Sequence, residues 1–150
     1  MDMKKQTTSN DYSKISAMYA DDFSKDWDHF EIFDEALSLI SEDIDKPIAD
    51  LGSGPGTVID YLRLKKYKEK ILAVDLTPEF CSLLKEKYES DKDVEIFQED
   101  MVSFVHKQAK DSIKAYLANF SIIHIPEDEI RAFFSSVYKS LVPSGVLVLS

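Results

Sequence analysis

The chain has 150 residues, which fits one domain, and a domain of this size buries about 68–70% of its unfolded surface, enough for its own core. A hydrophobic content of 44% with 31% charged residues excludes a disordered chain. The net charge of -10 argues against a nucleic-acid partner, which requires clustered Lys and Arg. No apolar stretch approaches the ~20 residues that span a bilayer, so no membrane partner is expected.

The single cysteine, Cys81, excludes an intramolecular disulfide framework and favours a cytoplasmic location. The amino terminus carries no apolar segment of the kind found in signal peptides. Because Cys81 falls on the apolar face of a predicted helix, we interpret it as a packing residue and not as a nucleophile.

The amino-terminal third of the chain has a helical pattern. Residues 1–10 are polar and predict a flexible terminus. From 11 to 45, apolar residues recur at 12, 15, 19, 23, 27, 30, 33, 37 and 40, a spacing that gives one apolar helix face. Tyr12 and Tyr19 lie seven apart on that face. The simplest interpretation is that this face packs on the body of the domain.

From residue 46 to 150, strand and helix patterns alternate, which predicts a single α/β core with a parallel sheet. The first strand, 48–51, carries Asp50 and ends in a loop with Gly52, Gly54 and Gly56. Such a loop presents free backbone N–H groups to a ligand at the start of the next helix. The dinucleotide fingerprint would require a further glycine at position 57, which is Thr57.

The second predicted strand, 70–75, ends in Asp75, about 20 residues beyond the glycine loop. In an open α/β sheet this position accepts hydrogen bonds from ribose hydroxyls. Thr77 and Pro78 then predict a helix start, with the Thr77 hydroxyl as its cap. A third strand, 93–98, precedes Asp100 and Met101.

The loop sequence from Asp50 to Gly56 resembles the first motif of class I S-adenosylmethionine-dependent methyltransferases of the small-molecule type. The similarity extends over residues 10–150, through Asp75, Asp100, a segment at 111–126 and a turn and strand at 141–150. The resemblance implies a Rossmann-like three-layer α/β sandwich with a mainly parallel sheet of strand order 3-2-1-4-5. It also implies that the domain is truncated after the fifth strand, because the family continues through another helix and two strands.

The fifth strand, 145–150, is apolar and would be an unprotected sheet edge. Such an edge tends to pair with another chain, which predicts a homodimer or a partner chain that supplies the missing strands.

The resemblance implies S-adenosylmethionine as the cofactor and S-adenosylhomocysteine as its product. It assigns Asp50 to the amino-acid end of the cofactor, and Asp100 with Met101 to the adenine. It also implies that the helix with Tyr12 and Tyr19 forms a lid over the cofactor, as an alternative to packing on the body of the domain. The predicted cofactor-binding residues are Tyr12, Asp50, Gly52, Ser53, Gly54, Gly56, Asp75, Leu76, Asp100, Met101 and Asn119.

The predicted reaction is in-line methyl transfer to a small-molecule acceptor, in which positioning supplies most of the catalysis. His124 follows the fourth strand at the ligand-binding edge and is the candidate base, with Tyr19 as a second catalytic candidate. A histidine held in a local hydrogen bond at the start of a helix is the alternative interpretation. The alternative functions are a cofactor-binding module without its own turnover and a nucleotide-dependent oxidoreductase.

Two clusters contain residue types that bind metals, and we interpret neither as a metal site. Residues two apart on a helix do not face each other, which applies to the acidic residues at 26 and 28. Pro126 predicts a helix start, at which Glu127, Asp128 and Glu129 would interact with the helix dipole beside His124.

Overall fold

The computed structural model describes residues 6–7, 9–15 and 30–150. Its helices are α1 (residues 9–15), α2 (Glu31–Ser38), α3 (Thr57–Leu64), α4 (Pro78–Lys87), α5 (Met101–Lys107) and α6 (Ile130–Ser140), with a 3-10 turn at Ile122–His124. Its strands are β1 (Ile48–Leu51), β2 (Ile71–Asp75), β3 (Val94–Gln98), β4 (Ile113–Ala118) and β5 (Leu141–Leu149).

The five strands form one parallel sheet in the order β3-β2-β1-β4-β5, which confirms the predicted topology. Asp50 pairs with Ala73 on one side and Leu117 on the other, so the first strand lies at the centre. All residues of β1, β2 and β4 are buried, because helices cover both faces of a parallel sheet.

Two apolar clusters lie on the two faces of this sheet and make the three layers. One packs α2, α3 and α4 through residues such as Phe33, Leu62 and Leu84. The other packs α5 and α6 through Phe104 and Phe133. The cavity described below lies at the carboxyl ends of the strands between these layers.

The fifth strand begins at Leu141, earlier than the predicted residue 145, and its pairing with β4 shifts register between Ile113 and Ala115. Ser144 has a φ of 67° at this irregularity, in the left-handed region that favours glycine. The strand lies at the edge of the sheet, as predicted.

The helical region differs from the prediction over 11–45. The chain is already helical at residues 9 and 10, and Ser9 is buried. α2 ends at Ser38, and the residues after it form turns instead of a continued helix. Phe30, Phe33 and Leu37 of the predicted apolar face are buried. Tyr19 and the acidic cluster around residue 27 lie outside the described residues.

Two predicted helix starts are only partly right. Thr77 is the N-cap of α4 and Pro78 its first residue, but the Thr77 side chain makes no capping hydrogen bond. The helix expected at Pro126 begins at Ile130, because a 3-10 turn and a further turn come first. Its first turn contains no acidic residue, so the dipole argument for Glu127 and Asp128 is wrong.

Cys81 is buried, and its thiol donates to the carbonyl oxygen of Asp75 at 3.4 Å. Burial raises the pKa of this thiol to about 11, which fits a packing residue. In the part of the chain that the structure describes, no helix is long and apolar enough to span a membrane.

Candidate cofactor site at the carboxyl edge of the sheet

A cavity of about 760 Å³, counted to its open mouth, lies at the carboxyl ends of β1, β2 and β4. The predicted site residues that line it are Tyr12, Gly52, Gly54, Asp75, Leu76, Asp100, Met101, Asn119 and His124. Asp50, Ser53 and Gly56 lie outside its lining, and Tyr19 lies outside the described residues.

The cavity also has lining residues that the sequence did not single out as site residues. They are Ser9, Val74, Thr77, Phe80, Glu99, Phe120, Ser121 and Ile125. Thr77 follows the predicted site residue Leu76, and Glu99 precedes the predicted site residue Asp100, so their places in the sequence could have identified them. Phe120 and Ser121 follow the predicted site residue Asn119 in the turn after β4, so the same signal applied to them.

The glycine loop is fixed to the end of β2 by backbone hydrogen bonds. The N–H groups of Gly52 and Ser53 donate to the carbonyl oxygen of Val74 at 2.8 and 3.0 Å. The N–H of Gly54 donates to Oδ2 of Asp75 at 2.8 Å. The loop and the predicted ribose-binding carboxylate therefore form one unit.

Gly52 has a φ of 72° and lies against the turn after β4. A Cβ at this position would be 2.4 Å from Cβ of Ser121, closer than real side chains approach. The Ser121 hydroxyl donates to the carbonyl oxygen of Leu51 at 2.6 Å, which joins the turn to the end of β1. Glycine is required here by both the backbone angle and the close approach.

The carboxylate of Asp75 is buried at the cavity wall. Burial raises its pKa, and the N–H groups of Thr77 and Gly54 oppose that effect by donating to its oxygens. Because each carboxylate oxygen has more than one acceptor position, Asp75 retains capacity for further donors such as a pair of hydroxyls.

Asp50 lies behind the glycine loop and is 1% exposed. Neither of its carboxylate oxygens has a hydrogen-bond partner among the described residues. Burial raises the pKa of this carboxyl to about 7, and the nearby charge of Asp75 also raises it, whereas Ser53 opposes the shift. Since such a group is costly to bury, Asp50 is poised to receive a cationic or hydrogen-bonding partner.

Asp100 and Met101 border the cavity at the start of α5. The Asp100 Oδ1 accepts from the N–H of Ser103 at 3.0 Å and so caps the helix. Asp100 therefore has a structural role in addition to the predicted role toward adenine. Asn119 lines the same cavity, and its Oδ1 accepts from the Ser150 hydroxyl at 2.5 Å.

His124 and Tyr12 meet on the opposite side of the cavity. Their Nε2 and hydroxyl oxygen are 3.2 Å apart, and the two rings make an edge contact with centroids 5.5 Å apart. Burial, and to a lesser extent the charge of Asp75, raises the pKa of Tyr12. This contact joins α1 to the turn after β4 and brings the candidate base together with a residue of the predicted lid.

Two further contacts hold α1 over the cavity. The Ser9 hydroxyl donates to the carbonyl oxygen of Leu76 at 3.4 Å, and the Ser13 hydroxyl donates to the Glu79 carboxylate. Helix α1 therefore lies along the mouth of the cavity between β2 and the 3-10 turn.

The charges around the cavity are acidic. Asp75, Glu99 and Asp100 line it, and among its described lining residues none is Lys or Arg. Over residues 6–7, 9–15 and 30–150, no three metal-ligating side chains form a group that could hold an ion.

The parallel 3-2-1-4-5 sheet, with a cavity beside its glycine loop, defines a Rossmann-like α/β domain. A family model described as a methyltransferase domain matches residues 48–145, so the chain belongs to this family of methyltransferase domains.

A carboxy-S-adenosyl-L-methionine synthase of Vibrio parahaemolyticus is 29% identical over 123 residues, or 77% of this chain and 49% of that protein. The chain thus spans about half the length of the curated relatives it matches.

Among solved structures, phosphoethanolamine N-methyltransferase 1 of Haemonchus contortus is similar with a TM-score of 0.71 and 19% identity, covering 97% of this chain and 31% of that one. An S-adenosylmethionine-dependent methyltransferase of Leishmania major gives a TM-score of 0.76 at 12% identity, covering 97% and 60%. These two similarities support the fold.

Proposed function

We propose that the cavity binds S-adenosylmethionine and that the protein transfers its methyl group to a small-molecule acceptor. The observation that carries the proposal is the buried Asp75 carboxylate, held at the cavity wall by the N–H groups of Gly54 and Thr77. This arrangement fixes an acceptor for ribose hydroxyls beside a glycine loop. The domain family is consistent with this reaction.

The residues present fit this cofactor. The two unpartnered oxygens of Asp50 suit the positive amino-acid end of the molecule, acting through or beside the glycine loop. A Cβ on Gly54 would meet nothing within 4 Å, so space for a ligand remains there. The carboxylates and the absence of Lys and Arg from the described cavity lining favour a cationic ligand over a nucleotide phosphate. This argues against the oxidoreductase alternative.

When bound, the cofactor supplies a methyl group already activated by its sulfonium. The chain contributes position: Asp75 holds the ribose, and Asp100 with Met101 borders the adenine. The His124 imidazole accepts the proton of an acceptor hydroxyl or amine, while the Tyr12 hydroxyl, 3.2 Å from Nε2, holds the ring in place. Tyr19 keeps its proposed role near the acceptor. Because no cation lines the described cavity, we expect an uncharged acceptor rather than an anionic one.

A second candidate function is the synthesis of carboxy-S-adenosylmethionine, which the names of the curated relatives favour. It would place an additional carboxylate in a cavity that Asp75, Glu99 and Asp100 already make acidic. We therefore rank it second. Mass spectrometry of the nucleoside product distinguishes the two functions, because one leaves S-adenosylhomocysteine and the other a carboxylated cofactor.

We further propose that the protein is cytoplasmic and forms a homodimer, or pairs with another chain, through β5, the outer strand of the described sheet. The apolar edge position of β5 supports this assembly. Sedimentation at high protein concentration tests it, and a monomer would contradict it.

Calorimetric titration of S-adenosylhomocysteine into the chain tests cofactor binding, with Asp75→Asn as the variant. We expect micromolar binding that falls by about tenfold or more in the variant, since one carboxylate then no longer accepts two ribose hydroxyls. Absence of binding by the folded wild-type chain would contradict the proposal.

The role of His124 is tested separately by His124→Asn. Turnover should fall about 100-fold, within the usual range for general-base catalysis, while the cofactor affinity falls only several-fold through the lost Tyr12 contact. Unchanged turnover would remove His124 from the mechanism.

A further inference from the structure

We propose that Tyr88, directly after α4, is a positioning residue that holds the glycine loop in its cofactor-binding conformation. The inference rests on the proposed function of the cavity, because the ligand that senses the loop is the cofactor. Tyr88 does not line the cavity and is 9% exposed. It therefore acts on the ligand through the loop.

The Tyr88 hydroxyl contacts the far end of the loop. Its oxygen lies 2.9 Å from the carbonyl oxygen of Gly56 and 2.8 Å from Oδ1 of Asp60, and its single proton is donated to one or the other. The neighbouring Lys87 donates to the carbonyl oxygen of Pro55 at 3.0 Å and also pairs with Asp60. Two consecutive loop carbonyls are therefore held by the end of one helix.

The third glycine of the loop permits this approach. Gly56 has a φ of 86°, and a Cβ there would be 2.6 Å from the Tyr88 hydroxyl oxygen and 2.8 Å from Cδ2 of Leu84. A side chain at position 56 would displace Tyr88 from the loop. Gly56 is thus explained by the packing of Tyr88 and not by contact with a ligand.

The end of β2 and the helix α4 together hold three consecutive residues of the loop. Asp75, three residues before α4, accepts the N–H of Gly54 through Oδ2. At the other end of α4, Lys87 and Tyr88 lie within hydrogen-bond distance of the carbonyl oxygens of Pro55 and Gly56. This second half of the loop is therefore restrained before a ligand binds, which lowers the cost of ordering it.

The test compares Tyr88→Phe with Tyr116→Phe. Tyr116 is a matched control, since it is also buried and its hydroxyl makes a 2.8 Å hydrogen bond, with Ser140, away from the loop. Both variants lose one buried hydroxyl, and we expect similar losses of thermal stability. Only Tyr88→Phe should raise the Kd of S-adenosylhomocysteine, by about tenfold. Only Tyr88→Phe should speed amide hydrogen exchange at Gly54 and Gly56.

Wild-type affinity together with wild-type exchange at Gly54 and Gly56 in Tyr88→Phe would overturn the proposal. If the wild-type chain binds no S-adenosylhomocysteine, the proposed function fails, and amide exchange still decides the role of Tyr88. Lys87→Met provides a second variant if Tyr88→Phe does not fold, because Lys87 is partly exposed. We expect a smaller rise in Kd, about threefold, with faster exchange at Gly56; no change in either would also count against the proposal.

Discussion

The two walls of the cavity are built in different ways. The glycine-loop wall is held by backbone groups: Gly52 and Ser53 donate to Val74, and Gly54 donates to Asp75, 21 residues away. The opposite wall is held by side chains, above all by the Tyr12–His124 contact between residues 112 positions apart. We infer that the first wall is held more firmly than the second.

Substitutions in the glycine loop should have the largest effect on the free energy of unfolding. Gly52→Ala places a Cβ 2.4 Å from Cβ of Ser121 at a φ of 72°, and we expect a loss of about 2–4 kcal/mol in the free energy of unfolding. Gly54→Ala is the matched control, since it has a positive φ but an open Cβ position, and should cost about 1 kcal/mol. Urea denaturation measures both, and equal losses would contradict the role of the Ser121 contact.

Asp50→Asn, a change behind the glycine loop, should stabilise the folded chain by an amount that depends on pH. Folding raises the pKa of this carboxyl from 3.8 to about 7, so the folded chain keeps its proton while the unfolded chain releases it. The stability of the wild type therefore falls as the pH rises from about 4 to about 7, and a neutral amide avoids that loss.

We expect Asp50→Asn to unfold with about 2 kcal/mol more free energy than the wild type at pH 8. The difference should be smaller at pH 5.5, where the wild-type carboxyl is still protonated in the folded state. Urea denaturation at the two pH values measures this difference in free energy. A variant less stable than the wild type at pH 8 would contradict the claim that the buried Asp50 carboxylate has no partner. Cofactor affinity should fall in the same variant.

Substitutions in the second wall, which α1 and the turn at Ile122–His124 form, should have smaller effects. Tyr12→Phe removes the hydroxyl that meets Nε2 of His124 and leaves the ring contact, so we expect about 1 kcal/mol or less of lost stability. The dissociation rate of S-adenosylhomocysteine should rise several-fold, since α1 is then held less firmly. Stopped-flow measurements give that rate, and an unchanged rate would separate α1 from ligand release.

Ser13→Ala should have the smallest effect. Its hydroxyl donates to Glu79 on the exposed side of α1, where water replaces the lost partner. We expect a melting temperature and cofactor affinity within error of the wild type. A clear loss of affinity would show that the outer contacts of α1 matter as much as Tyr12.

The difference between local backbone contacts and long-range side-chain contacts also explains which parts of the site the sequence predicts. The strand ends at Leu51 and Asp75 and the glycine loop depend on local pattern, and their positions were predicted within a residue or two. Ser121 and Tyr88 reach the loop from 70 and 32 residues away, and no local pattern predicts these contacts. The predicted helix start at Pro126 was wrong because proline is compatible with several kinds of turn. Here a 3-10 turn and a further turn come first, and α6 begins at Ile130.

Asp50 shows a second limit. Its place before the loop was clear from the sequence, but its position behind the loop depends on how the whole sheet packs. The motif thus predicts which residues lie around the cavity better than it predicts which of them line it.

The most direct test of the central claim, that the loop wall is the cofactor site, is an amide-resolved NMR titration of the chain with S-adenosylhomocysteine. The account predicts that the largest shifts occur at Gly54, Thr77 and Met101, with smaller shifts at the lid residue Tyr12. Saturable binding whose shifts avoid Gly54 and Thr77, or no binding by the folded chain, would contradict it.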